Sequence, residues 1–184
     1  MKNANILLVI FLITPFFAAE AGQLSRSEFK NISFTNFNVV HSRDYVSGEL
    51  LNTSSYTINS CTFRFSVYEI EMNSELMKVY NAVSEKYSTV DFSTFYERVS
   101  SDSSHHQVYS KTKECYPLKS EVQFTEMVND FLRHDTKLIL SRKLKIRKTV
   151  EPGYSTDFQF EIKMAYYGNN ILFVKEILEV QGKK

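Results

Sequence analysis

Tyr56-Thr57-Ile58-Asn59-Ser60-Cys61-Thr62-Phe63-Arg64-Phe65-Ser66-Val67-Tyr68-Glu69-Ile70 is the stretch whose reading decides the fold class. Cys61, Phe63, Phe65 and Val67 take alternate positions, with Thr62, Arg64, Ser66 and Tyr68 between them. Successive side chains of a strand point to opposite faces, so this period of two sets Phe and Val on a core face, with Cys61 among them.

Upstream, residues 28–40 read as extended. Ile32 and Phe34 alternate with Ser33 and Thr35, the phase slips at Asn36, and Phe37 and Val39 resume it, as in a bulged strand. His41-Ser42-Arg43-Asp44 is a polar turn, and Tyr45–Asn52 a second strand with Val46, Gly48 and Leu50 on one face. Asn52-Thr53-Ser54-Ser55 has turn composition.

Downstream the period becomes helical. Leu76, Val79, Tyr80, Val83 and Tyr87 share one helix face, and Phe92, Phe95, Tyr96 and Val99 share another behind an Asp91 cap. Ser100 to Lys113 is polar and reads as a loop carrying Ser103-Ser104-His105-His106. Ser120-x-x-Gln123 after Pro117 has the form of a capping box. Phe124, Met127, Val128, Phe131 and Leu132 then form a stripe that should end near His134. From Leu138 the chain is extended, with Leu144 and Ile146 alternating with Lys143, Lys145 and Arg147. Glu151-Pro152-Gly153 breaks that strand. Phe158, Phe160, Ile162 and Met164 alternate in the next, Tyr166-Tyr167-Gly168-Asn169-Asn170 makes a hairpin turn, and Ile171–Val180 closes the set.

Strands, then a helical block, then strands, without βαβ alternation, favour a mainly β (α+β) fold. The expected architecture is an antiparallel β-sandwich of about six or seven strands with a helical insertion at about 72–137. The chain has 184 residues, with 15 Phe and 11 Tyr but five Gly and three Pro, which suits aromatic strands packed face to face. A formal net charge of +1 gives no general drive toward nucleic acid or an anionic membrane.

Residues 1–21 follow the grammar of a secretory signal peptide. Lys2 precedes an apolar run from Ile6 to Ala19, and Ala19-Glu20-Ala21 offers a small-x-small cleavage site before Gly22. That run is shorter than the roughly 20 residues a membrane span needs, and Pro15 interrupts it. The alternative is an uncleaved N-terminal anchor. Cleavage would leave one domain over 22–184, secreted or periplasmic, with no transmembrane segment after signal removal. In an oxidising compartment Cys61 and Cys115 are a disulfide candidate, the alternative being two buried thiols too far apart to meet.

Three pieces of the chain resemble the FxLYD domain, a small immunoglobulin-like β-sandwich of exported bacterial proteins. Val46-x-Gly48-x-Leu50-x-Asn52 is similar to the strand and turn that precede that family's name motif. Phe65-Ser66-Val67-Tyr68-Glu69 is similar to the name motif, with Val for Leu and Glu for Asp. Glu151-Pro152-Gly153 before Phe158-Gln159-Phe160 is similar to its Pro-Gly turn and late strands. The resemblance covers about residues 30–70 and 140–180 and leaves the helical block unaccounted for. It implies a binding or accessory module without catalytic residues. From the residues alone, Gly48 allows close backbone approach, Asn52 suits a turn, and Pro152-Gly153 pre-sets a type II turn.

Candidate chemistry is sparse. His105-His106, with Asp102, Glu114 and Cys115 near in sequence, offers ligands for zinc or copper, against a plain solvated loop. Cys115 with His105 or His134 is a nucleophile-and-base combination, against simple pairing of the thiol. Glu69 and Glu71 share a strand face and read as solvated. Arg142-Lys143, Lys145 and Arg147-Lys148 form the densest basic run, either a contact surface for phosphate or acidic polysaccharide or an edge strand whose lysines discourage aggregation. Asn31-Ile32-Ser33 and Asn52-Thr53-Ser54 match the glycosylation triplet. The leading expectation is an exported non-enzymatic binding or accessory protein whose partner is a protein or envelope component, with no catalytic, cofactor or metal residues and no cofactor. The rivals are a small secreted metal-binding protein or enzyme using the His105-His106 loop, and a secreted effector or inhibitor.

Overall fold

A computed structural model of the chain describes residues 22–40, 44–88, 91–101, 104–163 and 170–184. The leader read over 1–21, most of the 41–44 turn, Asp102, Ser103, Met164 and most of the turn read over 166–170 lie outside these residues. Two antiparallel sheets are built from β1 (Gly22–Gln23), β2 (Ile32–Val40), β3 (Tyr45–Asn52), β4 (Thr57–Ile70), β5 (Thr136–Ile146), β6 (Ser155–Glu161) and β7 (Ile171–Lys183). One sheet has the order β1-β7-β4-β5 and the other β2-β3-β6. Between β4 and β5 lie α1 (Glu75–Tyr87), α2 (Phe92–Val99), α3 (His105–Lys113) and α4 (Glu121–His134), so the fold is a mainly β sandwich with a helical insertion.

The core between the sheets follows the alternation in β4. Cys61, Phe63, Phe65 and Val67 are fully buried against Val46, Leu50 and Phe158 of the smaller sheet. The Phe34 and Phe63 ring centroids lie 4.7 Å apart, and Phe65 stacks on Phe173 at 5.9 Å. β3 passes close to its neighbours at Gly48. A Cβ there would meet the Phe158 ring at 3.1 Å and the Phe37 backbone at 3.2 Å. The phase slip at Asn36 is a bulge between Thr35 and Asn38, with Asn36 at φ 51°.

The helices form a second core on the other face of β4 and β7. Leu76, Val79, Val83, Phe95, Phe124 and Phe131 pack there with Ile70 and Leu172, the latter opposite Tyr68 in the ladder. Side chains of Ser74, Asp91 and Ser120 accept from the backbone N–H groups of Met77, Thr94 and Gln123 and so start α1, α2 and α4. Gln123 closes the last cap through the Lys119 N–H at 2.9 Å, one residue upstream of the position a capping box uses.

Asn52 ties the ends of the smaller sheet to β4. It is fully buried, and its Nδ2 donates to the carbonyls of Tyr56 (2.7 Å) and Val150 (2.9 Å). Its Oδ1 accepts from Ser54 Oγ and the Ser54 N–H. Its carbonyl accepts from the Gly153 N–H at 2.7 Å, where φ of +82° fits the turn read from Pro152-Gly153.

Two sequence expectations are corrected, and the two cysteines are seen as thiols. Residues 28–31 are not strand but part of a 3₁₀ segment, Arg26–Asn31, which Glu28 closes through the Ser25 N–H at 2.8 Å. Residues 105–113 of the expected polar loop are helix α3. Cys61 and Cys115 are not bridged in the structure and are both free. Cys61 sits in the sandwich core, nine residues along β4 from Ile70, while Cys115 packs with the helical core that Ile70 joins.

Candidate functional site

The larger sheet has two long flanks, and they are finished differently. Along β7 the flank is covered by α2. The Phe173 N–H donates to Ser93 Oγ at 3.3 Å, and Lys175 Nζ donates to Glu97 Oε2 at 2.8 Å. A side chain of the helix thus satisfies one backbone N–H that an edge strand leaves open. β5 ends the strand order on the other side, and among the described residues no strand pairs with its outer side.

β5 and the two residues after it carry Lys137, Arg142, Lys143, Lys145, Arg147 and Lys148 with no carboxylate. All six are exposed, and none is in an ion pair among the described residues. Register explains part of this. Lys143 faces Arg64, whose guanidinium already holds Glu176 at 3.0 Å, and Lys145 faces Thr62. Leu138 is 53 % exposed on the same strand. At the start of β5, Glu69, Glu71, His134, Asp135 and Lys137 border a depression of about 310 Å³. Burial, and then Glu71, push the Asp135 carboxyl above the usual range. The edge is therefore acidic near its start and strongly basic over 142–148. A second depression of about 410 Å³ runs over Asn36, Ser47, Gly48, Glu49, Lys148 and Asp157 of the smaller sheet. There Glu49 accepts from Asn36 at 2.8 Å, and Lys148 donates to the Asp157 carbonyl at 2.6 Å.

The histidines are occupied structurally. His105 Nδ1 lies 2.5 Å from the Val99 carbonyl, Nε2 lies 3.0 Å from Thr125 Oγ1, and the ring packs on Phe124 at 5.2 Å. His106 Nδ1 lies 3.0 Å from Glu121 Oε1. Glu114 accepts from Tyr87 Oη and Lys86 Nζ, and Cys115 Sγ donates to the Thr112 carbonyl at 3.3 Å. Among the described residues no group of three His, Cys, Asp or Glu converges as a metal site. Burial pushes the Cys61 thiol up to about 12, opposite to what a nucleophilic thiolate requires.

The basic run is legible in the sequence; the exposure of Leu138 beside it is not, nor are Arg98 and Lys111, which line one helical cleft. His105, Val108, Tyr109, Thr112 and Tyr116 fall at helical spacing and carry the signal of α3 in residue types a hydropathy reading passes over. No family model, curated protein or solved structure matches the chain. No described helix is long and apolar enough to cross a membrane.

Proposed function

We propose that the protein is an exported, non-enzymatic binding module that recruits an extended acidic segment of a partner protein along β5. The observation that carries this reading is the open edge itself. A free strand edge offers a row of backbone donors and acceptors, and strand addition uses them for affinity while side chains give specificity. Here the flanking side chains are Arg142, Lys143, Lys145, Arg147 and Lys148, none of them in an ion pair among the described residues. Lysines on an edge disfavour a second copy of the same strand and favour one of opposite charge. Leu138 and Leu144 add apolar contact.

The leader grammar over 1–21 supports export, and the FxLYD resemblance supports an accessory role. The three resembling pieces lie on adjoining elements, since the Gly153 N–H donates to the Asn52 carbonyl and β4 carries Phe65–Glu69. An effector or inhibitor that acts on another protein would use the same edge.

The test is fluorescence anisotropy with a labelled peptide alternating Glu and Val. Saturable binding that weakens at least about tenfold when Lys143→Glu and Lys145→Glu are combined supports the reading. Equal binding of an alternating Lys and Val peptide, or preference for an acidic polysaccharide over every peptide, overturns it. The N-terminus of protein recovered from medium or periplasm tests export, with Gly22 as the expected first residue.

A further inference from the structure

We infer that the helical insertion holds a second binding site, a cleft between α1, α2 and α3 that takes a small anionic amphiphile with one acidic head and an apolar tail. The cleft has a volume of about 370 Å³. Ligand clefts run from roughly 300 to 1,000 Å³, so this one suits a medium-length chain and not a whole phospholipid. Buried Val83 and Phe95 floor it, with half-buried Val108 beside them, and exposed Arg98, Gln107 and Lys111 stand around it.

The two cations are what select the head group. Among the described residues neither Arg98 nor Lys111 is in an ion pair, although the Lys111 charge acts on Glu114. Glu114 holds Lys86 at 3.2 Å and accepts from Tyr87, Glu97 holds Lys175, and Asp91 caps α2. Two exposed positive charges over an apolar floor, neither in an ion pair among the described residues, attract a carboxylate or phosphate whose tail then leaves water. The cleft is also braced. Glu114 at the end of α3 ties to Tyr87 and Lys86 at the end of α1, and Ser104 Oγ donates to the Arg98 carbonyl at 2.7 Å. A site with fixed walls loses little freedom on binding. This site is separate from β5, so the two readings stand or fall independently.

The experiment titrates the full chain with decanoate, decyl phosphate, decyltrimethylammonium and acetate by calorimetry. Tyr87 in the wall supplies a second readout through tyrosine fluorescence, since the chain has no Trp. Decanoate or decyl phosphate should saturate at one per chain, and their ratio reports whether a carboxylate or a phosphate head is preferred. Decyltrimethylammonium and acetate should bind at least about tenfold more weakly, the loss expected for one charge-assisted hydrogen bond or for the tail. Arg98→Glu with Lys111→Glu should weaken the anionic ligands by at least about the same factor with circular dichroism and melting unchanged, because both residues are exposed. Val108→Phe fills the cleft and should abolish binding of either head. Absence of saturable binding, equal binding of the cationic amphiphile, or unchanged affinity in the folded charge variant overturns the inference.

Discussion

Asn52 Nδ2 donates to the carbonyl of Val150 at 2.9 Å, joining positions 98 residues apart across the entire helical insertion. The same amide reaches the Tyr56 carbonyl, and the Asn52 oxygen holds Ser54. A single buried side chain thus registers the β3–β4 turn against the segment that follows β5. Asn52→Ala removes these bonds, though the Val150 carbonyl keeps the Ile58 N–H and the Tyr56 carbonyl keeps Ser54 Oγ. The buried Ser54 groups lose their acceptor, so the expected loss is about 1–3 kcal/mol. Urea unfolding checks it, with a lower midpoint and an unchanged slope as the expected pattern.

Gly48 has little room on the core side of β3. Gly48→Val should destabilise by roughly 1–3 kcal/mol, because the Phe158 ring and the Phe37 backbone must both give way. A thermal melt compared with Ser47→Val, a half-buried neighbour, separates crowding from strand propensity.

The two thiols should behave differently. Cys115 is partly exposed and should react with a thiol reagent in the native protein, while Cys61 reacts only after unfolding. Burial raises the folded Cys61 thiol from an ordinary 9.0 to about 12. The folded state therefore keeps a proton that the unfolded chain releases. The stability this confers is whole below the unfolded value and is lost as pH rises toward the folded one, at about 1.4 kcal/mol per pH unit. Burial also lifts Tyr96 from 10.0 to about 12, which adds to the alkaline loss. Urea midpoints from about pH 8 to 10.5 should fall less steeply in Cys61→Ala than in wild type.

His105 joins the end of α2 to α4 through Val99 and Thr125. His105→Ala should cost about 1–3 kcal/mol, whereas His106→Ala, whose exposed ring meets Glu121, should cost under about 1 kcal/mol. Melting of the two single variants measures this. Metal analysis of wild type and double variant should give the same sub-stoichiometric content, and a stoichiometric metal lost with the histidines would restore the metal-binding rival.

Period two in β4 and β3 was legible because the face of each strand toward the sandwich core carries its large apolar residues, while the second face of β4 over Thr62–Ser66 is polar in residue type. The caps at Ser74, Asp91 and Ser120 leave different traces: Asp91 and Ser120 precede clear apolar stripes, whereas Ser74 stands before a stripe that begins at Leu76. Helix α3 was not legible, since its inward positions are His105, Val108, Tyr109 and Thr112, and tertiary contact with Phe124 supplies what composition lacks. The 3₁₀ segment was missed although Ser25 and Glu28 carry the spacing of a cap. Of the two proposed surfaces, the basic run could be read directly. The cleft could not, because Arg98 and Lys111 belong to different helices and only packing brings them to one rim.

The contrast between the flanks of the larger sheet has a consequence for self-association. With β7 flanked by α2, stacking on the larger sheet proceeds from the β5 side, and mutual repulsion of its cations is the brake. Salt releases that brake, because the screening length shrinks from about 10 Å at 0.1 M to about 3 Å at 1 M. Concentrated salt should therefore drive this chain toward pairs joined through β5, and polyanions in the surroundings should keep it single by occupying that strand first.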